Sequence, residues 1–336
     1  MESISTANDV LVDNYGRRIN YLRVSLTERC NLRCGYCYGS DGNSRIKGRS
    51  LSDSEFIQII KAFSISGINK VRFTGGEPLL RQGIVEIIRE TSAIRGISSV
   101  CLTTNGILLD LFLRPLIEAG LNRLNVSLDT LNARTFRAIT GNDGFRGVYE
   151  AINEAIASSA FGRVKINTVV MRGVNDSEIP EFARWALSEN IELRFIEFMP
   201  TRRSAWGESL FVGEDEIRSK IGLDLEREVA DRDNSGPAVT YRFGDLPGRI
   251  GFISAVSRSF CDGCNRLRLT SRGDLIGCLF GSRDVNLKNL LADGASPGEI
   301  AEFLSLKIKT PGFRRLPGPG GISIGEKRPF MRGVGG

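Results

Sequence analysis

The chain between about residue 20 and residue 200 alternates short β-branched runs with longer segments whose apolar residues recur at helical spacing. This alternation is typical of successive βα units and predicts an α/β fold with a parallel sheet. One predicted helix begins at the Ser/Asp cap signal of SDSEF and ends at Gly67, and another opens near Ser177 and closes with ALSEN. The six predicted strands are YLRVSL, KVRFTG, SVCLTTN, RLNVSLD, VKINTVVM and ELRFIEFM.

Six such units predict a partial (βα)6 TIM-like barrel, because right-handed crossovers curl consecutive units in one direction. A complete barrel of this type has eight units, so six leave it open on one side. We expect the active site at the C-terminal ends of the strands, where the loops of such barrels converge.

The regular alternation stops after Pro200, which predicts three segments. Residues 1–200 form the barrel. Residues 201–310 form a C-terminal extension with a compact, cysteine-bearing block at 251–280. Residues 311–336 form a tail too rich in Gly and Pro for a long helix or strand.

Charge and composition narrow the function classes. The formal net charge is +6, without the basic run of a nucleic-acid arm, which favours a phosphorylated small molecule as the anionic partner. No secretory signal opens the chain and no stretch approaches the about 20 apolar residues of a membrane span, so we expect a cytoplasmic protein with no membrane partner. Seven cysteines in a reducing compartment point to metal chemistry or packing rather than disulfides, and with no His in the chain a metal would need thiolate or oxygen ligands.

A first cysteine triplet, CNLRCGYC, follows the first predicted strand and sets Cys30, Cys34 and Cys37 in one loop. Three thiolates can occupy three corners of an iron-sulfur cube and leave the fourth iron open to a ligand. The alternatives are a structural zinc site, which requires a fourth Cys or His nearby, and a coincidence of buried cysteines.

This spacing after strand one resembles the radical S-adenosylmethionine superfamily. The resemblance implies that S-adenosylmethionine chelates the open iron and that one electron from the cluster releases a 5'-deoxyadenosyl radical. The second predicted strand runs into TGGEP, where the superfamily contacts the methionine moiety. The backbone of Gly75 and Gly76 can come close to a ligand there, and Glu77 is expected to pair with the ligand's ammonium group.

A second triplet, Cys261, Cys264 and Cys278, again has three thiolates without a fourth and is typical of a second cluster with an open iron. Arg266 and Arg268 alternate on a predicted short strand, so both guanidinium groups should point to one side and suit a polyphosphate. The alternative for this block alone is a zinc ribbon with solvated arginines.

With both triplets, the chain is similar to the GTP 3',8-cyclase family of molybdenum cofactor biosynthesis. The resemblance rests on LRVSLTERCNLRCGYC, VRFTGGEPLLR, LTTNG, LNVSLD, GVNDSEI, RFIEFMP, FCDGCNRLRL, GCLF and the terminal Gly335-Gly336. It implies a radical SAM barrel with two 4Fe-4S clusters, one on each triplet. Tyr36, Gly76, Ser127 and Met199 are the implied S-adenosylmethionine contacts. The implied GTP contacts, of which Arg266 and Arg268 are also catalytic, are Arg23, Arg72, Thr103, Lys165, Asn265, Arg266 and Arg268.

The implied reaction begins with abstraction of the 3' hydrogen of the GTP ribose and closes a ring by attack on C8 of guanine, giving 3',8-cyclo-7,8-dihydro-GTP. The implied partners are GTP, an electron donor and a downstream cyclic pyranopterin monophosphate synthase, and a homodimer stays open. Two other functions compete: a peptide- or protein-modifying radical enzyme with an auxiliary cluster, and a zinc-stabilised binding module without catalysis. Cys101, the seventh cysteine, is predicted to pack in the core, and Asp129, the last residue of LNVSLD, is either a site residue or a turn former.

Overall fold

The computed structural model of the chain describes residues 10–37, 49–199, 207–228, 236–258, 261–279, 285–311 and 313. Within these residues the strands are β1 (Leu11–Val12), β2 (Arg18–Ile19), β3 (Tyr21–Ser25), β4 (Lys70–Thr74), β5 (Ser99–Thr104), β6 (Arg123–Ser127), β7 (Val164–Val170), β8 (Ile191–Glu197), β9 (Glu226–Arg227), β10 (Val239–Arg242), β11 (Arg249–Ile253), β12 (Arg266–Leu269), β13 (Asp274–Ile276) and β14 (Val285–Asn286).

The helices of the same residues are α1 (Asp53–Ile65), α2 (Ile84–Ser92), α3 (Leu109–Glu118), α4 (Ala133–Thr140), α5 (Phe145–Ala157), α6 (Ile179–Ser188), α7 (Glu214–Ile221), α8 (Lys288–Ala292) and α9 (Pro297–Ile308). Short 3-10 helices lie at Pro78–Leu80, Asp176–Glu178 and Glu208–Leu210. Among the described residues, no helix combines the length and the apolar character of a membrane span.

The six predicted strands are β3 to β8, and they pair in chain order and all in parallel. The prediction of an α/β fold with a parallel sheet is therefore confirmed. The predicted helix after Ser52 is α1: the Ser52 hydroxyl accepts a hydrogen bond from the Glu55 amide (3.2 Å), and the Glu55 carboxylate accepts one from the Ser52 amide (2.6 Å). This capping box fixes where the helix begins. At the other end Gly67 takes a φ of 87°, which ends the element.

The C-terminal region extends the same sheet at both of its edges. Strand β12 pairs with β3 in parallel and β11 pairs with β8 in parallel, which makes a run of eight parallel strands. Beyond them, β13 and β14 continue antiparallel on one side, and β10 and β9 on the other. The segment boundaries at residues 200 and 310 stay predictions, and the tail from residue 314, with Gly335 and Gly336, lies outside the described residues.

The two faces of the parallel strands differ in polarity. On β7, Val164 and Ile166 point to the hydrophobic core under the helices, while Lys165 and Asn167, which alternate with them, face the opposite side. Side chains alternate across a strand, so one face of each strand is apolar and the other polar. Most parallel sheets are apolar on both faces. The polar face here is therefore the place to look for a ligand site.

Candidate active site

The polar face of the sheet encloses a cavity of about 890 Å³. Residues from each of the strands β3 to β8, and from β10, β11 and β12, line it, so the sheet curves around a common interior. All six cysteines of the two triplets lie in its wall, together with all the predicted S-adenosylmethionine contacts and all but one of the predicted GTP contacts. The structure thus brings together two triplets that are separated by more than 200 residues in the sequence.

The first cysteine triplet lies in the loop that follows β3, at the C-terminal edge of the parallel strands. The loop is attached to the end of α4, because the Arg33 amide donates to Thr140 O (2.9 Å) and the Gly35 amide donates to Ile139 O (3.3 Å). Burial raises the pKa of the Cys34 thiol well above its usual value. Among the described residues, no three His, Cys, Asp or Glu side chains are arranged to hold one metal ion.

The TGGEP turn lies directly against this loop. A Cβ on Gly75 would lie 2.3 Å from Thr27 O, and a Cβ on Gly76 would lie 2.2 Å from Arg29 O. The amide of Gly76 donates to Thr27 O and that of Glu77 to Arg29 O, both at 2.7 Å. Glycine is required here because the two backbones touch.

Glu77 has a different role from the one we expected. Its side chain is fully buried and does not line the cavity. It accepts hydrogen bonds from the Leu79 amide (3.0 Å), the Thr104 hydroxyl (2.7 Å) and the Asn105 amide (2.7 Å). Burial raises the pKa of Glu77 to about 7, although these three hydrogen bonds oppose the shift. The prediction that Glu77 reaches the ligand was wrong: it links the turn after β4 to the turn after β5.

Asp129 holds the first cysteine loop in place through hydrogen bonds. Sequence reasoning left open whether it is a site residue or a turn former. The Tyr36 hydroxyl donates to one carboxylate oxygen of Asp129 (2.6 Å), and the Val169 amide donates to the other (2.8 Å). Burial raises the pKa of Asp129 to about 6, against these two hydrogen bonds. An Asp after a strand gives no signal of this role, because Tyr36 is 93 residues away in the chain.

The second triplet is assembled by a turn and a hairpin. In the turn, the Cys264 amide donates to Cys261 O (3.1 Å). In the hairpin, Arg268 of β12 pairs antiparallel with Ile276 of β13, so Cys278, two residues further on, lies beside the start of β12. Outside the hairpin, the Arg17 guanidinium donates to Cys261 O (2.8 Å). Arg17 lines the cavity as well, and sequence reasoning did not single it out.

A row of arginines crosses the wall beside this triplet. Arg268 lies next to Arg23 in register, and Arg23 lies next to Arg72 on the following strand. Both Arg266 and Arg268 are buried and line the cavity, as their alternation on one strand predicted. Burial, Arg23 and Arg266 lower the pKa of Arg268 to about 9, and in the described residues its Nε is buried without a hydrogen bond. Such a buried cation favours an anionic ligand.

The opposite wall carries a second cationic group. Lys165 and Arg194 both form a salt bridge with Glu192, and Arg194 Nε donates to Glu192 Oε1 (2.7 Å). Burial and Arg194 lower the pKa of Lys165 to about 8. Although burial opposes it, Arg194 and Lys165 hold the pKa of Glu192 at about 2. Sequence reasoning did not single out Glu192 or Arg194, although Arg194 is the first residue of the RFIEFMP motif.

Thr103 joins the arginine row, since its hydroxyl accepts a hydrogen bond from Arg72 Nη1 (3.1 Å). Asn265 is the predicted contact that does not line the cavity: its side-chain amide donates to Asn20 Oδ1 (2.7 Å). Cys101 is buried, as predicted, but it alternates with the core residues Val100 and Leu102 and so shares the polar interior with Arg72.

Comparisons with known proteins agree with this site. The profile of the Radical SAM superfamily matches residues 24–186, and that of Molybdenum Cofactor Synthesis C matches residues 191–312. A GTP 3',8-cyclase of Thermodesulfovibrio yellowstonii is 44% identical over 301 residues, which cover 89% of this chain and 92% of that protein. Molybdenum cofactor biosynthesis protein 1 of Dictyostelium discoideum is 38% identical over 313 residues, which cover 92% of this chain but 50% of that protein.

Among solved structures, SuiB of Streptococcus suis bound to S-adenosylmethionine aligns with a TM-score of 0.58 at 14% identity, covering 86% of this chain and 69% of that one. At this identity the likeness concerns the fold alone, and it supports the predicted barrel class with its C-terminal extension. The match to the Thermodesulfovibrio cyclase covers 89% of this chain and 92% of that protein, and the two family profiles together match residues 24–186 and 191–312. The chain therefore belongs to the GTP 3',8-cyclase family of the radical SAM superfamily.

Proposed function

We propose that the protein is a cytoplasmic GTP 3',8-cyclase that converts GTP to (8S)-3',8-cyclo-7,8-dihydroguanosine 5'-triphosphate for molybdenum cofactor biosynthesis. The observation that carries this proposal is the single cavity whose wall contains both cysteine triplets and a row of buried arginines. A radical source and a polyphosphate site would thereby face the same substrate.

The first triplet fits a 4Fe-4S cluster by its donor set. Cys30, Cys34 and Cys37 are the thiol side chains of their loop, and thiolates are the ligands that such clusters take. When bound, the cluster and S-adenosylmethionine supply a 5'-deoxyadenosyl radical that abstracts the 3' hydrogen of the ribose. The chain's own contribution is to hold S-adenosylmethionine through Tyr36, Gly76, Ser127 and Met199, all in the cavity wall.

The second triplet would hold a further 4Fe-4S cluster on Cys261, Cys264 and Cys278, with its open position towards the guanine. The turn and the hairpin that assemble it place these thiolates beside Arg266. Here too the donors are thiolates, which suits iron-sulfur chemistry.

The triphosphate would lie against the basic groups of the wall. Charge-assisted hydrogen bonds from guanidinium groups to phosphate oxygens are short and strong in a buried site. The cations are already in place before GTP binds, so little reorganisation opposes binding. The side chains that would contact GTP are Arg23, Arg72, Thr103, Lys165, Arg266 and Arg268. Asn265 precedes Arg266 in the chain, but its side chain does not line the cavity.

Arg266 and Arg268 would also act in the reaction. Their burial excludes water from the side of the cavity next to the second triplet, where the guanine is proposed to lie. Ring closure by the ribose radical would leave an aminyl radical, which needs one electron from the donor and one proton to give the product. Fixed cations in such a place stabilise the negative charge that develops in this reduction. An electron donor and a downstream cyclic pyranopterin monophosphate synthase complete the proposed partners, and a homodimer is compatible with the proposal.

The test is product analysis under anaerobic conditions. The protein is reconstituted with iron and sulfide and incubated with S-adenosylmethionine, a reductant and GTP, while mass spectrometry follows 5'-deoxyadenosine and cyclised GTP. We expect both products, and neither from Cys30→Ala. Formation of 5'-deoxyadenosine without any GTP-dependent product would reject GTP as the substrate and favour a peptide-modifying radical enzyme. Colourless protein that binds zinc would reject the radical chemistry as a whole.

A further inference from the structure

The turn that follows β5 reaches the first cysteine triplet through one side chain. The Asn105 amide group donates to Asn31 Oδ1 (2.8 Å) and lies 3.7 Å from Cys30 Sγ as a hydrogen-bond donor. The Asn105 side-chain oxygen accepts from the Ile107 amide (3.0 Å). Because the oxygen is engaged by a backbone N–H, the NH2 group must face the cysteine, and this settles the orientation of the amide.

The backbone of Asn105 is held by the buried carboxylate of Glu77, to which its amide donates (2.7 Å). Glu77 is in turn attached to the segment just before Cys30, because its own amide donates to Arg29 O (2.7 Å). The turn after β4, the turn after β5 and the cysteine loop therefore form one connected unit. The distance from Asn105 to Cys30 is set by this unit and not by the mobility of one side chain.

The Asn105 N–H group beside Cys30 Sγ would affect the reduction potential of a cluster bound there. Hydrogen bonds to the sulfur ligands of an iron-sulfur cluster are one of the factors that set its reduction potential. An N–H dipole pointing at a thiolate stabilises the more negative, reduced state of the cluster. The Leu32 amide also donates to Cys30 Sγ (3.4 Å), but that donor belongs to the backbone of the loop. The Asn105 donor belongs to a side chain, so a substitution can remove it.

We propose that Asn105 is a positioning residue for the first cluster: its side-chain N–H donates to the Cys30 thiolate, fixes this ligand and raises the reduction potential of the cluster that the thiolate holds. The inference rests on the first-cluster part of the proposed function and does not depend on the identity of the substrate. Asn105 touches neither substrate nor the reacting atoms in this role, and it acts through Cys30.

Two substitutions separate the electronic role from a merely structural one. Asn105→Asp keeps the oxygen that accepts from the Ile107 amide and replaces the donor with a second acceptor, since a carboxylate has no N–H. Asn105→Leu has a similarly branched side chain and removes all three side-chain hydrogen bonds, to Cys30, Asn31 and the Ile107 amide. The matched control is Asn142→Leu, because the Asn142 side chain accepts the same type of turn bond from the amide two residues ahead (Gly144, 2.8 Å) and makes no hydrogen bond to a cysteine among the described residues.

The measurement is a potentiometric titration of the full-length reconstituted protein followed by electron paramagnetic resonance. The first cluster's signal is identified by its change on addition of S-adenosylmethionine. For Asn105→Leu we expect an about tenfold lower ratio of reduced to oxidised cluster at a given applied potential, which is about 59 mV for a one-electron couple. The decrease should be larger for Asn105→Asp, and Asn142→Leu should titrate like the wild type.

An unchanged potential in Asn105→Asp would overturn the proposal, as would an equal decrease in Asn142→Leu. Loss of iron from the first site in both Asn105 variants, with the Asn142 variant fully loaded and all circular dichroism spectra alike, would support the positioning of Cys30. The proposed function fails separately: if GTP is not the substrate, the wild-type cluster still responds to S-adenosylmethionine and the titration still decides the role of Asn105.

Discussion

The two ends of the cavity contain buried ionisable groups of opposite charge. Near the first triplet the buried charges are carboxylates, Glu77 and Asp129, and each accepts hydrogen bonds from backbone amides and side chains of neighbouring turns. Near the second triplet the buried charges are cations, Arg266 and Arg268, whose register neighbour Arg23 is a further arginine. The pKa is raised for both carboxyl groups and lowered for Arg268, in each case with burial as the largest cause.

This difference indicates different tasks. A buried carboxylate that is fully hydrogen-bonded by the protein already has its partners, so it stabilises the local structure. A buried guanidinium group next to like charges favours the arrival of an anion. The first end of the cavity is thus a preassembled frame for a cofactor, while the second is a binding surface for a charged ligand.

Substitution of single cysteines gives the largest expected effect and separates the two ends. In Cys30→Ala, both 5'-deoxyadenosine and cyclised GTP should disappear, because no radical source is left. In Cys264→Ala, 5'-deoxyadenosine should persist and only the GTP-derived product should be lost. Each variant should lose about four of the about eight irons of two 4Fe-4S clusters. Cys101→Ala is the control, with full iron content. Equal product patterns for the two variants would contradict the division of tasks.

Removal of one buried cation should weaken nucleotide binding. For Arg268→Met we expect the Kd for GTP to rise by about tenfold to a hundredfold, the equivalent of one hydrogen bond to a charged group. The nucleotide-free variant should melt at a higher temperature than the wild type, because a buried cation with a lowered pKa has been removed. Calorimetry and thermal melting check both effects.

Arg146→Met provides the comparison for that experiment, since Arg146 is exposed and pairs only with its helical neighbour Glu150 among the described residues. It should change neither the Kd nor the melting temperature. A lower melting temperature for nucleotide-free Arg268→Met would contradict the interpretation that this end of the cavity is a binding site for an anion.

A methyl group at Gly76 should disturb the frame around the first triplet. The added Cβ would lie 2.2 Å from Arg29 O, so the cysteine loop must move. We expect Gly76→Ala to lower the free energy of unfolding by about 1–3 kcal/mol and to weaken S-adenosylmethionine binding. Gly147→Ala in α5 has nothing within 4 Å of the new atom and should stabilise the protein by about 1 kcal/mol. Denaturant titration measures the free energy of unfolding of both variants. Equal values would contradict the prediction, because they would show that the cysteine loop moves to accommodate the methyl group.

The smallest expected effect is a pH dependence of the free energy of unfolding that comes from Glu77, near the first triplet. The folded-state pKa of Glu77, about 7, lies above its usual value of 4.5, so the folded state binds more protons between these values. Stability should therefore fall as the pH rises through this window, by at most about 1.4 kcal/mol per pH unit, and level off above it.

In Glu77→Gln this slope should become shallower, whereas Glu86→Gln on the exposed side of α2 should keep it. Thermal melting of the anaerobic holoprotein across the window measures the slope. The same slope in all three proteins would show that Glu77 does not titrate there.

The repeating part of the fold could be predicted from the sequence because its signals are local. Strands β3 to β8 and the start of α1 at Ser52 follow from apolar spacing and a capping box. The flanking strands could not be predicted in the same way. Strand β12 pairs with β3 across more than 240 residues, and a short run such as RLRL carries no information about its partner.

Within the site, the sequence predicted the residue types better than their directions. Arg266 and Arg268 face the cavity, but Asn265 faces away because side chains alternate along the strand. Glu77 was expected at the ligand and instead connects two turns, since three N–H and O–H donors converge on it. Asp129 and Glu192 could not be assigned, because their partners Tyr36 and Lys165 are 93 and 27 residues away in the chain.

The sequence by itself determined the chemistry that this protein can hold: two triplets of thiolates, no His, and arginines alternating beside the second triplet. Local spacing suffices for that, because the first three thiolates come from one short loop and the other three from one turn and the hairpin that follows it. Only the tertiary structure decided that both triplets and the arginines face one cavity, and which buried charges are satisfied by the protein. Those properties depend on strand pairing over long distances and on burial, which no local pattern encodes.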